Sequence, residues 1–302
     1  MAEGGAGVPP VSLVIPSRHG GTALFETIDA FAREGASELE IVVAECARDG
    51  SGDRITSRWP HVRVIHFDDE RTIPELRAAG LVAARAAIVA MTGDRCAPGP
   101  GWLTAVRRAH ADAPDAVGGA IENGSVDRLV DWAVYFCEYG RYMPPLAREP
   151  HADLPGQNVS YARGALDAIR DLVQQGTWEP LWHWRLAARG ARLVRDPSRI
   201  VVLRKRFTFA GFMRERFHYG RSFAGQRVAG ASAVRRALFA AGCLALPGLV
   251  LVRLGRDVLP KRRHAGRFLL CAPYFAAFAC AWAAGEAAGY AAGPGASASA
   301  VD

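Results

Sequence analysis

The chain is poor in cysteine, and the cysteines it has are not arranged to ligate. The six stand at positions 46, 96, 137, 243, 271 and 280, with no Cys-x-x-Cys pair and no accompanying histidine cluster. That spacing speaks against a structural zinc site and against a disulfide framework, so the thiols read as reduced and mostly buried, in a chain facing the cytosol. Residues 1–10 are small and neutral or acidic, without a basic start or an apolar centre, and are not expected to be a signal peptide. No Gly-x-Gly-x-x-Gly follows the first apolar run, where Ser17-Arg18-His19-Gly20-Gly21 stands instead. A nicotinamide-dependent oxidoreductase would therefore lack the turn that holds its pyrophosphate. There is no internal repeat, and low complexity is confined to residues 291–300.

What is present is apolar mass and an uneven charge. Half of the 302 residues are hydrophobic, enough for one sizeable core with or without an appendage. Residues 1–200 carry 22 Arg and Lys against 26 Asp and Glu, and residues 201–302 carry 15 against 4. A mildly acidic globular part thus precedes a basic, apolar-rich part. A basic patch suits nucleic acid or anionic lipid. The apolar runs beside it favour lipid, because an arm that grips nucleic acid has no use for them.

Short apolar runs at 11–16, 40–43, 62–66 and 87–91 predict buried strands, and helical spacing predicts helices at 22–34, 53–58, 73–85 and 101–111. This alternation argues for an α/β fold with a mostly parallel sheet under covering helices. Beyond residue 117 the order is less regular: a strand at 116–122, an aromatic-rich helix at 126–139, a Pro-rich loop, then helices at 164–173 and 178–189 and a strand within 192–203.

The most informative segment is Gly93-Asp94-Arg95, directly after the fourth apolar run. In an open α/β sheet, ligands sit at the carboxyl ends of strands. An acid there can bind a divalent cation that clamps a diphosphate; an ordinary turn aspartate fits the segment equally well. In the last third, residues 237–252 and 268–285 are uncharged. The second approaches the ~20 apolar residues of a membrane span. The first is broken by Pro247-Gly248 and suits a re-entrant or interfacial hairpin. Six basic residues between 253 and 267 predict a cytoplasmic side for the connection.

Six segments, in order, together resemble the family-2 glycosyltransferases. They are VSLVIPSRHG, EIVVAECARDGSGD, IPELRAAGLVAARAAIVAMTGDRCAPGPGWL, PGQNVSYARGAL, WEPLWHWRLAARGARLV and RFTFAGFMRERFHYGRSFAGQR. The resemblance covers about 11–227. It implies the nucleotide-sugar-binding GT-A fold, a nucleotide-sugar donor and, in non-processive members, C-terminal membrane-associated helices. The implied organisation is a flexible N-terminus at 1–10, a catalytic domain at 11–205, a basic amphipathic arm at 206–236, a membrane-associated helical hairpin at 237–293 and a disordered tail at 294–302.

The resemblance places donor-binding groups at Pro16, Ser17, Glu45, Asp49, Arg77, Asp94 and Arg95. Asp94 would hold a divalent cation, Mg²⁺ or Mn²⁺. Glu179 would be the catalytic base, and Asn158, Trp178, Trp182 and Arg221 would meet the acceptor. In chemical terms Glu45 and Asp49 can accept bonds from a base and a ribose, and Glu179 can take a proton from an acceptor hydroxyl. Trp178, Trp182 and Trp184 can stack on sugar faces or serve as core. The chain departs from the family pattern in three places. Gly93-Asp94-Arg95 replaces Asp-x-Asp, Ala44-Glu45 replaces a pair of aspartates, and Glu179-Pro180 replaces Glu-Asp. Arg95 cannot ligate a metal but can pair with a phosphate. The Gln-x-x-Arg-Trp signature of processive members is absent, which favours addition of a single sugar.

The expectation is an inverting transferase of the hexosyltransferase type. It would move one sugar from a nucleotide donor to a lipid-linked or other hydrophobic acceptor at the cytoplasmic face of the cell membrane, without nucleic acid as a partner. The alternative is a catalytically degenerate relative retained as a membrane scaffold or partner subunit. The aromatic and arginine residues of 209–227 suit a helix lying at a membrane interface with rings toward lipid, or an amphipathic helix packed on protein.

Overall fold

A computed structural model describes residues 10–35 and 38–301. The expected flexible N-terminus lies, but for Pro10, outside the described residues. The chain divides into two compact units, one formed by residues 1–120 and 146–202 and the other by 121–145 and 203–302.

The strands are β1 (Val11–Ser17), β2 (Leu39–Glu45), β3 (Arg63–His66), β4 (Ile88–Met91), β5 (Cys96–Pro98), β6 (Ala116–Asn123), β7 (Glu149–Pro150), β8 (Val159–Ala162) and β9 (Leu193–Leu203). The helices up to residue 188 are α1 (Gly21–Ala32), α2 (Ser51–Arg58), α3 (Ile73–Ala83), α4 (Trp102–Ala109), α5 (Leu129–Tyr139), α6 (Arg163–Ala168), α7 (Arg170–Gln174) and α8 (Glu179–Ala188). Beyond them come α9 (Phe209–Arg227), α10 (Ala233–Gly242), α11 (Leu246–Val258), α12 (Ala265–Leu270) and α13 (Ala272–Ala292).

All nine strands form one sheet in the order β3-β2-β1-β4-β8-β6-β9-β5, with β7 pairing β9. β3, β2, β1 and β4 run parallel, and β8 enters antiparallel to β4 and to β6. β1 and β2 are buried along their whole length, as their unbroken apolar runs require. Because β1 has β2 on one side and β4 on the other, the strand order reverses beside it, and a crevice is expected between the carboxyl ends of β1 and β4.

Proline in a central strand normally costs a ladder bond. Pro16 is accommodated because the pairing of β1 with β4 has already ended at Val14 and Met91. The Thr92 N–H still bonds to the Val14 carbonyl (3.1 Å), so alternate backbone groups of β1 face β4 up to that point. The donor that Pro16 lacks would have pointed beyond the end of β4.

Helix α3 is stopped at its start by a capping box: the Glu75 N–H donates to Thr72 Oγ1 (3.3 Å), and the Thr72 N–H donates to Glu75 Oε2 (2.7 Å). It then lies directly on β1. A Cβ at Gly80 would stand 2.3 Å from Val14 Cγ1, so no other residue permits that approach. The main core runs under this helix and behind β4 and β8, through Val14, Leu81, Met91, Tyr161, Leu166 and Trp182.

In the second unit α9 and α13 pack at backbone distance. A Cβ on Gly285 would lie 2.1 Å from the Phe217 carbonyl oxygen, and one on Gly289 2.4 Å from that of Arg221. Small residues at such crossings let helix backbones meet. The aromatic face of α9 is covered by α13: Phe212 sits edge-on to Phe278 at 4.6 Å, and Tyr219 edge-on to Trp282 at 5.3 Å. Arg216 is buried over the Trp282 ring and paired with Glu138 (2.6 Å). Phe212 and Tyr219 therefore face protein, which is the second of the two readings of this helix, and not lipid.

Two expectations change. The apolar stretch at 268–285 is not one continuous helix, since α12 ends at Leu270 and α13 begins at Ala272 with Pro273 in its first turn. No single helix among the described residues is long and apolar enough to cross a membrane. α10 with the stretch Leu246–Lys261, bent by 61° at their junction, passes that test only as a pair. The tail at 294–302, expected to be disordered, is described to Val301 and packs on α9. Pro294 lies against Gly225, and Ser297 Oγ is 3.2 Å from His218 Nδ1.

Candidate active site

The loops that follow β1 and β4 meet at their carboxyl ends. Ser17 Oγ donates to Asp94 Oδ2 (2.7 Å), and Thr27 Oγ1 donates to the Asp94 carbonyl (3.0 Å). Asp94 is thereby fixed by α1 and β1 with its carboxylate still partly exposed, and Arg95 Nε lies 3.9 Å from Asp94 Oδ1. Gly20 allows the loop after β2 to close on this point, because a Cβ there would meet Ser51 Oγ at 2.2 Å and Asp49 Oδ1 at 2.8 Å. The amide of Gly21 donates to Ser51 Oγ (2.9 Å). Ser17, Asp49, Asp94 and Arg95 are thus brought together at the carboxyl ends of the strands, where Pro16 is the penultimate residue of β1.

Asp49 Oδ1 accepts from the Ser51 N–H (3.0 Å) and Oδ2 from Arg54 (3.1 Å). Partial burial pushes this carboxyl up, but the bonds from Ser51 and the charge of Arg54 outweigh it, and the net shift is downward.

Glu45 does not face the crevice as expected. Its side chain is fully buried, with Oε2 accepting from the Ala47 N–H (2.7 Å) and Oε1 lying 2.6 Å from His66 Nδ1. A Cβ on Gly52 would stand 2.6 Å from the same Oε1. Both oxygens are spent on holding the turn and on His66. The half-exposed group at this strand end is His66. Its hydrogen bond to Glu45 is the main reason its pKa is raised, with Asp68 adding to the effect.

A second cluster forms where α8 begins. Trp178 is its N-cap, Glu179 its first residue, and Pro180 follows in the first turn. Glu179 is buried and forms an ion pair with Arg77 of α3, itself buried. Arg77, expected at the donor, is therefore paired with the expected base. The loop 155–158 joins the two clusters. A Cβ on Gly156 would lie 3.2 Å from Glu179 Cδ, Thr92 Oγ1 donates to the Gln157 carbonyl (2.9 Å), and a Cβ on Gly93 would meet Gln157 Oε1 at 2.2 Å. Cys96, also beside Gln157, has its thiol pushed up to about 11 by burial.

Three of the expected acceptor residues are buried. Asn158 is completely buried: its Nδ2 donates to the carbonyls of Ala120 (2.8 Å) and Arg199 (3.0 Å), and its Oδ1 accepts from Trp102 Nε1 (3.1 Å). Trp182 is equally buried and donates to Thr177 Oγ1 (2.8 Å). Both are core, because every polar atom they carry is bonded inside the fold. Trp178 is also buried, and its ring lies 5.9 Å from the Arg77 guanidinium. Trp184 is the tryptophan of this helix left on the surface. Arg221 belongs to the second unit, where its Nε donates to the Gly293 carbonyl (3.3 Å).

A cation at Asp94 has one protein carboxylate to bind. No group of three or more potential metal-ligating side chains occurs among the described residues. That donor set still fits a hard cation completed by substrate, since Mg²⁺ is commonly held by one or two carboxylates plus phosphate oxygens and water. Sequence reasoning overlooked His66 and Gln157. His66 is marked only as the last residue of a strand, and Gln157 only by its place in the Gly-x-Asn segment.

No family model matches the chain, and no curated protein sequence matches it. Solved structures do. The mannosyltransferase PcManGT from Pyrobaculum calidifontis, in complex with GDP-Man and Mn²⁺, matches with a TM-score of 0.58 at 18% identity, over 92% of this chain and 87% of that one. TarS of S. aureus, residues 1–349, matches with 0.51 at 14% identity, over 68% and 63%. A second TarS structure matches with 0.51 at 12% identity, over 71% of this chain and 39% of that one. The chain therefore spans less than two thirds of either TarS chain. At these identities the likeness speaks for the architecture alone: the chain has a GT-A-like glycosyltransferase fold.

Proposed function

We propose that this chain is a glycosyltransferase that moves a single sugar, with inversion, from a nucleotide-sugar donor to a lipid-linked or other hydrophobic acceptor. The observation that carries the reading is Asp94, held by Ser17 beside Arg95 at the carboxyl ends of β1 and β4. An acid and a guanidinium at a strand-order reversal suit a diphosphate. The fold shared with PcManGT, solved with GDP-Man and Mn²⁺, supports the same donor class.

In this reading Asp94 holds the divalent cation, which when bound would neutralise the diphosphate charge. Arg95 pairs with the same phosphates. Ser17 orients Asp94. Glu179 accepts the proton of the acceptor hydroxyl as its oxygen bonds to the anomeric carbon, and the bond from that carbon to the diphosphate breaks, its electron pair leaving with the diphosphate. One base and one displacement suffice for inversion.

A membrane-proximal acceptor is supported by the surface of the second unit. Leu238 on α10, Leu244 between α10 and α11, and Leu249 on α11 are 70%, 91% and 62% exposed, and Leu269 and Leu270 of α12 are exposed as well. Basic residues 253–267 lie in the same part of the sequence, a pairing suited to an anionic interface on the cytoplasmic side.

A second reading, a degenerate scaffold, is favoured by the pairing of Glu179 with Arg77. Thermal shift with a panel of UDP-, GDP- and dTDP-sugars, with and without Mn²⁺ or Mg²⁺, separates the two. A donor at 100 times its Kd stabilises by ~2.7 kcal/mol. No shift with any donor, together with an unchanged biological phenotype for Asp94→Ala and Glu179→Gln, would leave the scaffold. Liposome flotation tests the membrane part: Leu238→Glu with Leu249→Glu is expected to release the chain from anionic vesicles, and equal flotation of variant and wild type would remove that surface from the reading.

A further inference from the structure

The ion pair between Arg77 and Glu179 is the least expected arrangement in the first unit. Both side chains are more than nine-tenths buried, and the pair is made through Arg77 Nη1 and Glu179 Oε1. The guanidinium also lies 5.9 Å from the Trp178 ring centroid. Opposite the pair, Gly156 leaves room for the carboxylate: a Cβ there would be 3.3 Å from Oε2. α3 is locked on β1 at Gly80, and α8 starts at Glu179 itself, so both partners come from rigid elements.

A buried ion pair is weak evidence for stability, because well-packed apolar replacements of both partners are often neutral or better. Made between two rigidly held elements, it points instead to placement of a charge. Arg77 Nε is buried with no hydrogen-bond partner, so the guanidinium is held for what Nη1 does and not for full satisfaction of its donors.

We propose that Arg77 is a positioning residue for Glu179. It grips Oε1 and fixes the carboxylate in one orientation, so that Oε2 is the oxygen presented to the acceptor hydroxyl. This rests on the glycosyltransferase reading above. The proton of the hydroxyl goes to Oε2, and Arg77 touches neither the sugar nor the diphosphate. An arginine that instead bound donor phosphates would act on donor affinity, and the two roles separate kinetically.

The test uses the full-length chain with whichever nucleotide sugar it turns over. For Arg77→Ala the expected result is a fall in kcat of about 10²-fold, at the low end of general-base contributions. Donor Kd by calorimetry should stay within about threefold, and added guanidinium should restore part of kcat. In a Glu179→Gln background, Arg77→Ala should change kcat little, because residues that act as a unit are not additive. Arg77→Ala leaves a buried carboxylate unpaired and can fail to fold. In that case Arg77→Met with Glu179→Gln, which removes both charges, is compared with Glu179→Gln alone. Equal donor Kd in the two supports positioning, and a weakened Kd in the first overturns it. Loss of donor affinity with unchanged kcat in Arg77→Ala, or effects that multiply with Glu179→Gln, also overturn it. A wild-type chain that neither binds nor consumes any donor removes the glycosyltransferase reading, and the positioning role with it.

Discussion

Replacing Asn158 by alanine separates a structural pin from an acceptor ligand, and the magnitude follows from the three best-made of its bonds. The side chain satisfies the Trp102 indole N–H and the carbonyls of Ala120 and Arg199, all inside the first unit. Truncation leaves these groups buried without a partner. Each such group costs ~1–3 kcal/mol, so the variant should lose ~3–9 kcal/mol in total, a large share of the 5–15 kcal/mol typical of a domain. At ~2–4 °C per kcal/mol for a unit of this size, the melting temperature should fall by at least ~6 °C, and by ~20 °C near the middle of that range.

Asn158→Asp should be at least as damaging, since it keeps the acceptor for Trp102 but sets a carboxylate oxygen against two carbonyls. The room is tight, because a Cβ on Gly119 would stand 2.2 Å from Asn158 Nδ2. Gly119→Ala should therefore destabilise in the same manner. Urea and thermal denaturation by circular dichroism provide the measurement. A stable, normally melting Asn158→Ala that had lost only sugar transfer would refute this account and return Asn158 to the acceptor site.

Glu40 has Oε1 and Oε2 bonded to Arg85 and Ser12. Burial pushes its carboxyl up, but these bonds win and the net pKa is lowered. The stabilisation should be present above the unfolded value near 4.5 and be lost as pH falls through the lower folded value, and Glu40→Gln should flatten that acid limb in denaturation curves. His66 should titrate above 6.5 in an NMR pH series because of Glu45. Its contribution to stability is full below the unfolded value and lost as pH rises through the folded one; titration below 6.5 would contradict the geometry. Asp94→Asn should abolish transfer with an unchanged melting temperature, because its carboxylate is partly exposed and not a core group; turnover near wild type would take it out of the site. Gly285→Ala should unfold the second unit well before the first, since its Cβ would fall 2.1 Å from the Phe217 carbonyl oxygen; unchanged melting would deny the close crossing of α9 and α13.

The parallel half of the sheet was legible because buried strands are written as unbroken apolar runs, as in Val11–Ser17 and Leu39–Glu45. Asp94 was legible because its segment combines a strand end with an acid. Glu45 was not: an acid after a strand looks alike whether it faces a ligand or turns inward to His66 and Ala47. That choice depends on Gly52, which approaches in space and carries no pattern of its own. The pairing of Arg77 with Glu179 joins residues a hundred positions apart, and local periodicity cannot register it. The arm stayed ambiguous for a related reason. An aromatic and arginine-rich helix has the same composition whether its rings meet lipid or another helix, and only the glycines at 285 and 289 distinguish α13 as its partner. They became informative once the two helices were seen to touch.

The crossing of α9 and α13 also bears on how the chain is made. At ~5–20 residues per second, the stretch between the end of α9 and the end of α13 takes seconds to emerge. Throughout that interval Phe212 and Phe223, both buried in the finished protein, lack the cover that Phe278 and Trp282 of α13 give them. The nascent chain thus presents a bare aromatic face until α13 arrives. A premature stop anywhere before α13 should give a sticky, chaperone-bound product, and ribosome-bound intermediates should be most vulnerable to aggregation in the interval before α13 emerges.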